Sequence, residues 1–396
     1  MSSRLVVEIV FWLTVAALLY SYVGYPLLLV LMSRLCGRPV HRSDFTPSAT
    51  VIITAYNEER DLAAKLENTL ALDYDSNLLE VIVASDCSTD RTDEIAREFA
   101  ARGVRLHRQP ERLGKTAAQN GAVEQARGDV ILFSDATTDY EPDVLRVLMS
   151  SFADPTVGCA TGRVIYTDRA ESSVGHGTRS YWGYEFLLKK HESNVCSLIG
   201  VCGCMYAVRK SAYVPLYHEA CSDFLIATKM VEQGLRAVYE PAAVCREETN
   251  ERADKELKTR VRIVTQTFSD LWRNRSMMNP LRSGFYAVEL ISHKVMRYLV
   301  PLFLIIILVT SAVLAPRSVS YAIALIAQIC FYGAAVLAWM LERVGLPSRL
   351  LAVPQYFVLA NLASLIALYK FISGERYVRW EPIRVSAGQT DHSKRL

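Results

Sequence analysis

Apolar residues crowd into four blocks at the two ends of the 396-residue chain, and that distribution limits the possible folds more than any single motif does. The first block, residues 5–32, carries one charge, Glu8, and exceeds the roughly 20 residues that cross a bilayer. It lacks a small-residue cleavage site behind a short apolar core, so it reads as a retained anchor, bent near Gly24-Tyr25-Pro26. Residues 298–315, 319–340 and 350–372 form three further blocks, each long enough to span. A lone apolar stretch can be a buried core helix, but four of them flanked by Arg and Lys are better explained as membrane segments.

The spacing predicts an N-terminal anchor over residues 1–37, a soluble domain over 38–254 and amphipathic interfacial helices over 255–297. Membrane segments follow over 298–372, with a basic tail over 373–396. In the interfacial stretch, basic residues alternate with Trp272, Met277, Met278, Phe285 and Tyr286. That pattern suits helices lying on a lipid surface, and also an amphipathic helix packed on the domain itself. Arg34, Arg38 and Arg42 follow the first block while Arg4 precedes it, which puts the large domain in the cytoplasm of a multi-pass protein of the plasma or inner membrane. Three later crossings would leave the C-terminus outside. Yet Arg376, Arg379, Arg384, Lys394 and Arg395 in the tail favour the inside, so either the tail breaks the rule or one block, such as the fourth with its Pro354, does not cross.

Lys plus Arg number 44 against 41 Asp plus Glu, and the basic residues are scattered, so nucleic acid is not an expected partner. The 9 cysteines form no C-x-x-C pair, and a chain this long can build its core without disulfides.

The soluble domain alternates strand and helix signals. Short β-rich runs at 50–54, 81–83, 104–106 and 130–133 are separated by helical patterns at 62–70, 92–99 and 116–126. Continuous apolar strands of this kind predict a parallel sheet covered on both faces, an α/β fold whose ligands sit beyond the carboxyl ends of the strands. Acids follow those ends: Glu58 and Glu59, then Asp86 and Asp90, then Asp135 and Asp139. One such Asp is usually a helix cap, and Asp90 fits that role; several on one rim call for a cation or hydrogen-bond donors. Neither G-x-G-x-x-G nor a Walker loop is present, leaving Arg112 and Lys115 to supply positive charge.

These residues, in order, carry a resemblance. Residues 51–59 ending in Tyr56-Asn57-Glu58-Glu59, then Asp86-Cys87-Ser88-Thr89-Asp90, Gly114-Lys115 with Asn120-Gly121, and Phe133-Ser134-Asp135-Ala136 closely resemble glycosyltransferase family 2 over residues 50–248. The flanking apolar blocks are similar to its membrane-integrated branch, which includes cellulose, chitin and hyaluronan synthases. The resemblance implies a GT-A fold, a Rossmann-like nucleotide-sugar-binding domain flanked by transmembrane helices. It also implies a UDP-sugar donor, Mg2+ or Mn2+, and inversion at the anomeric carbon. By position, Tyr56 and Glu58 would border the nucleoside, Asp86 would bond the base, and Lys115 would lie near the diphosphate. Asp135 would be the first metal carboxylate, with Thr137 where a second Asp is common.

The resemblance makes Asp223, in Cys221-Ser222-Asp223-Phe224, the base that deprotonates the acceptor, a role compatible with capping the helix that follows. Residues 197–209 resemble an acceptor strand whose small residues, Gly203 among them, admit a sugar. Cys202 and Cys204 there read as small core residues rather than metal ligands. Trp182, Tyr184 and Glu185 could stack on and bond an acceptor, or pack a helix on the sheet. In the position of the synthases' Gln-x-x-Arg-Trp, Arg262 remains to steady the leaving diphosphate, but Thr259 and Ile263 replace Gln and Trp. Loss of that stacking platform weakens the processive expectation, although Trp272 lies nearby in sequence. Ser292-His293-Lys294, just ahead of the second block, could meet headgroups or diphosphate, while His293 itself reads as a structural histidine. Three functions follow: addition of a sugar to a lipid-linked or growing saccharide in cell-surface polysaccharide assembly, processive synthesis of a secreted polymer, or a non-catalytic nucleotide-sugar sensor or scaffold.

Overall fold

The computed structural model describes residues 3–377 apart from 168–172, 249–252, 345 and 347. Of the tail cations, Arg376 is included, while Arg379, Arg384, Lys394 and Arg395 lie outside the described residues. Eight strands among the described residues build one sheet: β1 (Ala49–Ala55), β2 (Leu79–Ser85), β3 (Val104–Arg108), β4 (Val130–Asp135), β5 (Asp139–Tyr140), β6 (Val157–Thr167), β7 (Met205–Arg209) and β8 (Arg236–Glu248). Their order is β3-β2-β1-β4-β7-β6-β8-β5.

The expected parallel sheet is found for β1 to β4, each joined to the next by a helix. Along β1, Val51 and Ile53 face one core layer with Leu62 and Leu66, and Ile52 faces the other with Ala118 and Phe133. Both faces are apolar because both are covered, and each fully buried Ile or Val stabilises by roughly 1.5–3 kcal/mol. The other half of the sheet departs from expectation. β7 runs antiparallel to β4 and to β6, β8 lies parallel to β6, and β5 closes the edge antiparallel to β8. The connection from β6 to β7 both packs on the sheet, with Phe186 stacked on Tyr239 of β8, and reaches past it. It is the long helix Ser173–Val195, whose Leu188 packs on Tyr25 and Leu29 of the first apolar helix.

Four helices among the described residues are long and apolar enough to cross a membrane: Ser3–Cys36, Phe285–Arg317, Val319–Arg343 and Ala352–Ile372. They leave large side chains such as Trp12, Leu13, Ile323 and Ile326 exposed, which suits lipid rather than water. Where the first block was expected to bend, the helix carries a π-helical turn, Tyr20–Gly24, and Pro26 then falls in the first turn of Tyr25–Cys36, where its missing N–H is harmless. Pro354 likewise sits in the first turn of Ala352–Ile372, so the expectation of a proline-broken fourth block is corrected to an unbroken helix.

The interfacial stretch also differs from its expected form. Helix Ala253–Arg273 leads through a short 3-10 turn and helix Pro280–Ser283 into the second span, which begins at Phe285 rather than 298 and carries a second π turn, Ile291–Met296. Met277 and Tyr286 are buried with Ile199, Phe224 and Leu271, so they fasten the domain to the span instead of dipping into lipid.

Candidate active site

The loops after β1 and β2 turn sharply at equivalent places, with Asn57 at φ 55° and Cys87 at φ 58°. Cross-bonds hold these left-handed residues. Thr89 N donates to Asn57 Oδ1 at 2.7 Å, Asn57 N to Ser88 Oγ at 3.1 Å, and Glu58 N to Thr92 Oγ1 at 2.7 Å. Asp90 was expected to cap its helix, but the cap position of Thr92–Glu98 is Arg91; Asp90, one residue earlier, accepts from Thr92 N at 3.0 Å and braces the neighbouring loop by accepting from Glu59 N at 3.2 Å. Asp86 is fully buried, and its carboxylate accepts from Leu113 N at 2.9 Å and Gly114 N at 3.0 Å. Gly114, at φ 95°, permits the turn into helix Lys115–Gln125. Arg112 from the same loop stacks on Tyr56 with its guanidinium 3.7 Å from the ring centroid. Of the two means of holding the rim acids that the sequence allowed, a cation or hydrogen-bond donors, backbone donors serve Asp86 and Asp90.

Deeper in, Lys115 forms an ion pair with Asp135 and donates to Gly203 O at 3.2 Å. Burial works against the ammonium charge, but Asp135 and Asp223 outweigh it and hold its pKa above the ordinary value. Asp223 stands in the first turn of helix Ser222–Glu232, where the helix dipole favours an anion; its Oδ1 accepts from Phe224 N at 3.0 Å and Cys221 Sγ at 2.9 Å. Gly203 leaves room for that carboxylate, since a Cβ there would lie 3.0 Å from Asp223 Oδ2. Behind the pair, fully buried Asp270 accepts from Cys221 N at 2.9 Å and from the Tyr217 hydroxyl, and burial pushes its carboxyl up to about 7. Arg262, two turns earlier on the same helix, faces Cys221, Asp223 and Asp135; burial lowers its pKa.

Lys115, Asp135, Gly203, Asp223 and Arg262 line one cavity of about 540 Å³, with Glu58 on its wall. So does Glu247 of β8, which sequence reasoning did not single out; burial and then Asp135 push its carboxyl up to about 7. The available signal was a pair of acids, Glu247-Glu248, ending an apolar strand. Asp135, Thr137 and Glu247 all line the cavity and carry oxygen donors of the kind hard divalent cations prefer, with Asp135 acting on Glu247. No three His, Cys, Asp or Glu side chains gather into a metal cage among the described residues, so substrate oxygens would have to complete the coordination.

The cavity continues past Asp223 to the apolar helices, where Tyr22, Arg297, Tyr298 and Tyr356 line it. Trp182 lines it too, while stacking on Tyr166 at 5.0 Å and leaning on Phe186 at 5.7 Å. Tyr184 and Glu185, expected to contact an acceptor, also line the cavity and are held there by protein partners. The Tyr184 hydroxyl donates to Tyr22 O at 3.3 Å; buried Glu185 is ion-paired with Arg297 and lies 3.1 Å from His293 Nε2. Burial disfavours the Glu185 charge, but Arg297 and His293 hold its carboxyl well below the usual range. His293 also meets Glu192 at 2.5 Å and ties the long helix to the second span, while lining the cavity itself. Trp272 is 61% exposed with Arg275 against its ring and does not line the cavity.

Residues 50–214 match the family described as glycosyl transferase family 2. An N-acetylglucosaminyltransferase of Rhizobium sp. (strain N33) is 28% identical over 251 residues, covering 58% of this chain and 54% of that protein. A poly-beta-1,6-N-acetyl-D-glucosamine synthase of Staphylococcus aureus (strain COL) is 26% identical over 245 residues, covering 60% and 55%. The matches thus span about half the length of these curated relatives. A solved structure, the mannosyltransferase PcManGT from Pyrobaculum calidifontis in complex with GDP-Man and Mn2+, is 23% identical with a TM-score of 0.69 and covers 92% of this chain and 99% of that one. Asp223 and Arg262 lie beyond the stretch matched to the family.

Proposed function

The chain carries a family 2 glycosyltransferase domain of GT-A fold, and on that premise we propose that it transfers a sugar, with inversion, from a UDP-sugar to a lipid-linked saccharide at a membrane face. The single observation that carries the reading is the cavity itself, which runs from the Lys115–Asp135 pair past Asp223 to the apolar helices. A water-soluble donor can enter at one end and a membrane-held acceptor at the other.

In this reading Tyr56, Glu58 and Asp86 border the nucleoside, and Lys115 and Arg262 balance the diphosphate charge. Asp135 and Glu247 would hold Mg2+ or Mn2+ with diphosphate oxygens, and the cation would supply further charge neutralisation as the diphosphate leaves. The PcManGT complex with Mn2+ supports a divalent ion in this fold. Asp223 accepts the acceptor hydroxyl proton while that oxygen attacks the anomeric carbon from the face opposite the departing UDP. Gly203 keeps the space that lets the acceptor approach. Arg34, Arg38 and Arg42 support a cytoplasmic domain on the inner or plasma membrane. The S. aureus relative, a synthase by name, supports a place in cell-surface polysaccharide assembly. Single addition is favoured over processive synthesis because Ile263 replaces the stacking Trp and Trp272 points elsewhere.

Asp223→Asn tests the mechanism: transfer from a UDP-sugar with Mn2+ should fall by about 10²–10⁴-fold while UDP binding by calorimetry persists. Unimpaired transfer would remove Asp223 from the base role. UDP binding with no turnover of any donor by the wild type would favour the sensor, and a ladder of products from one donor would favour the processive enzyme.

A further inference from the structure

Beyond Asp223 the cavity walls carry more positive charge than their own carboxylates answer. Arg297 is paired with Glu185, and Arg260 with Glu256 at 2.7 Å and with the Tyr356 hydroxyl. Lys294 and Arg262 also line the cavity, yet neither has a hydrogen-bonded or ion-paired partner among the described residues. Around Lys294 stand two rings, Phe224 and Tyr298, each with its centroid 5.7 Å from the ammonium nitrogen. A cation drawn out of water into such surroundings is costly unless an anion meets it.

The two cations approach Asp223 from different elements. Arg262 belongs to helix Ala253–Arg273 and faces Asp135 as well as Asp223, which suits the donor diphosphate. Lys294 belongs to the second apolar span and touches Phe224, the residue after Asp223, from the membrane side. Its place is held firmly. It sits in the π turn Ile291–Met296 directly after two anchored residues, Ser292, bonded to the Tyr20 hydroxyl at 2.8 Å, and His293, clamped by Glu185 and Glu192. π turns inside helices recur at functional sites because they re-aim side chains.

We propose that Lys294 forms an anion subsite for the phosphate of the acceptor lipid, so that the acceptor class is a lipid joined through phosphate to its sugar or hydroxyl group. The inference rests on the transfer reading above and narrows its acceptor. Two unpartnered cations flanking one base then correspond to two anions, the diphosphate on the sheet side and the lipid phosphate on the membrane side. The lipid phosphate is held and does not react. The acceptor hydroxyl oxygen forms the new bond to the anomeric carbon, its proton passes to Asp223, and the anomeric carbon–oxygen bond breaks with its electron pair leaving on UDP. A neutral glycolipid or an uncharged polymer would leave Lys294 only the field of Glu185, a carboxylate already paired with Arg297 and His293.

The test uses the full chain in maltoside micelles, which contain no phosphate, with farnesyl phosphate, farnesol, inorganic phosphate and UDP as calorimetric probes. Farnesyl phosphate should bind more tightly than farnesol. Lys294→Ala should weaken farnesyl phosphate by about tenfold or more, and Lys294→Arg should restore much of it. UDP and farnesol affinities should stay unchanged in Lys294→Ala, which also shows that the variant is folded. Equal binding of farnesol and farnesyl phosphate, or an unaltered farnesyl phosphate affinity in Lys294→Ala, would overturn the proposal. Inorganic phosphate competing as well as farnesyl phosphate would assign the site to free phosphate and overturn the lipid. Loss of UDP binding in Lys294→Ala would move Lys294 to the donor end and overturn the subsite while sparing the transfer reading. Full activity of Asp223→Asn would sink the transfer reading and leave farnesyl phosphate binding to be judged alone.

Discussion

The two ends of the cavity are built by opposite strategies. At the sheet end, successive βα loops hold one another through backbone groups: Asp86 accepts from two amides, Asn57 from another, and Asp90 spans two loops. At the membrane end, side chains hold side chains across great sequence distance, as when Glu185 meets His293 and Arg297. The first arrangement gives a rigid receptor for a ligand of fixed shape, because backbone donors move only if the fold moves. The second gives a wall that substitution can reshape without disturbing the sheet. A donor site should therefore be stiff and an acceptor site adaptable, which is how one fold can serve many acceptors.

Four substitutions sharpen or break this contrast. Lys115→Ala should act most strongly, lowering kcat/KM by about 10²–10³-fold and weakening UDP binding, since Lys115 is the cation of the donor end; an effect on acceptor affinity alone would contradict the division. Gly203→Ala places a methyl 3.0 Å from Asp223 Oδ2 and should lower kcat by roughly tenfold with UDP affinity kept, as measured by initial rates beside calorimetry. Asn57→Ala removes the bonds to Thr89 and leaves a side chain other than Asn or Gly at φ 55°, so unfolding should become easier by about 1–3 kcal/mol in denaturant titrations. Asn57→Gly should recover the backbone share of that loss.

The smallest effect concerns pH. Asp270, with its carboxyl pushed up to about 7 by burial, binds a proton more readily folded than unfolded, where the ordinary value is 3.8. Its contribution to stability is fully present below that ordinary value and is lost as pH rises through about 7. Melting temperatures of wild type and Asp270→Asn should therefore diverge between pH 4 and pH 7.5, with the wild type losing ground as pH rises. Parallel curves would show that Tyr217 and Cys221 already stabilise the charged form.

The sheet end was legible because its chemistry follows local order. Each apolar strand is followed at once by its functional residues, and β1 to β4 appear within a few residues of the expected runs. Residues 50–214, which hold Tyr56, Asp86, Lys115 and Asp135, also match the family. The membrane end was opaque for a physical reason. Whether Glu185 binds a sugar or pairs with Arg297 depends on a contact 112 residues away, and nothing in either neighbourhood encodes it. Glu247 was missed likewise, since β8 gains its meaning from pairing with β6 and β5 rather than from a motif. The mixed half of the sheet escaped because strand–helix alternation does not encode the direction of a strand such as β7, which is set by pairing with β4 and β6.

The two π turns, Tyr20–Gly24 and Ile291–Met296, face each other through Tyr20 and Ser292. Each accommodates one residue more than a regular α-turn, so the extra residue is absorbed locally and the flanking segments stay nearly in phase. Deleting a single residue from the second turn would close it to a regular α-turn and re-aim the side chains within it. Lys294 would then no longer keep its orientation relative to Arg297. Homologous chains with a one-residue gap here are therefore expected to present a different wall to the cavity even where every neighbouring residue is identical, and an alignment that closes the gap silently would hide a change of acceptor.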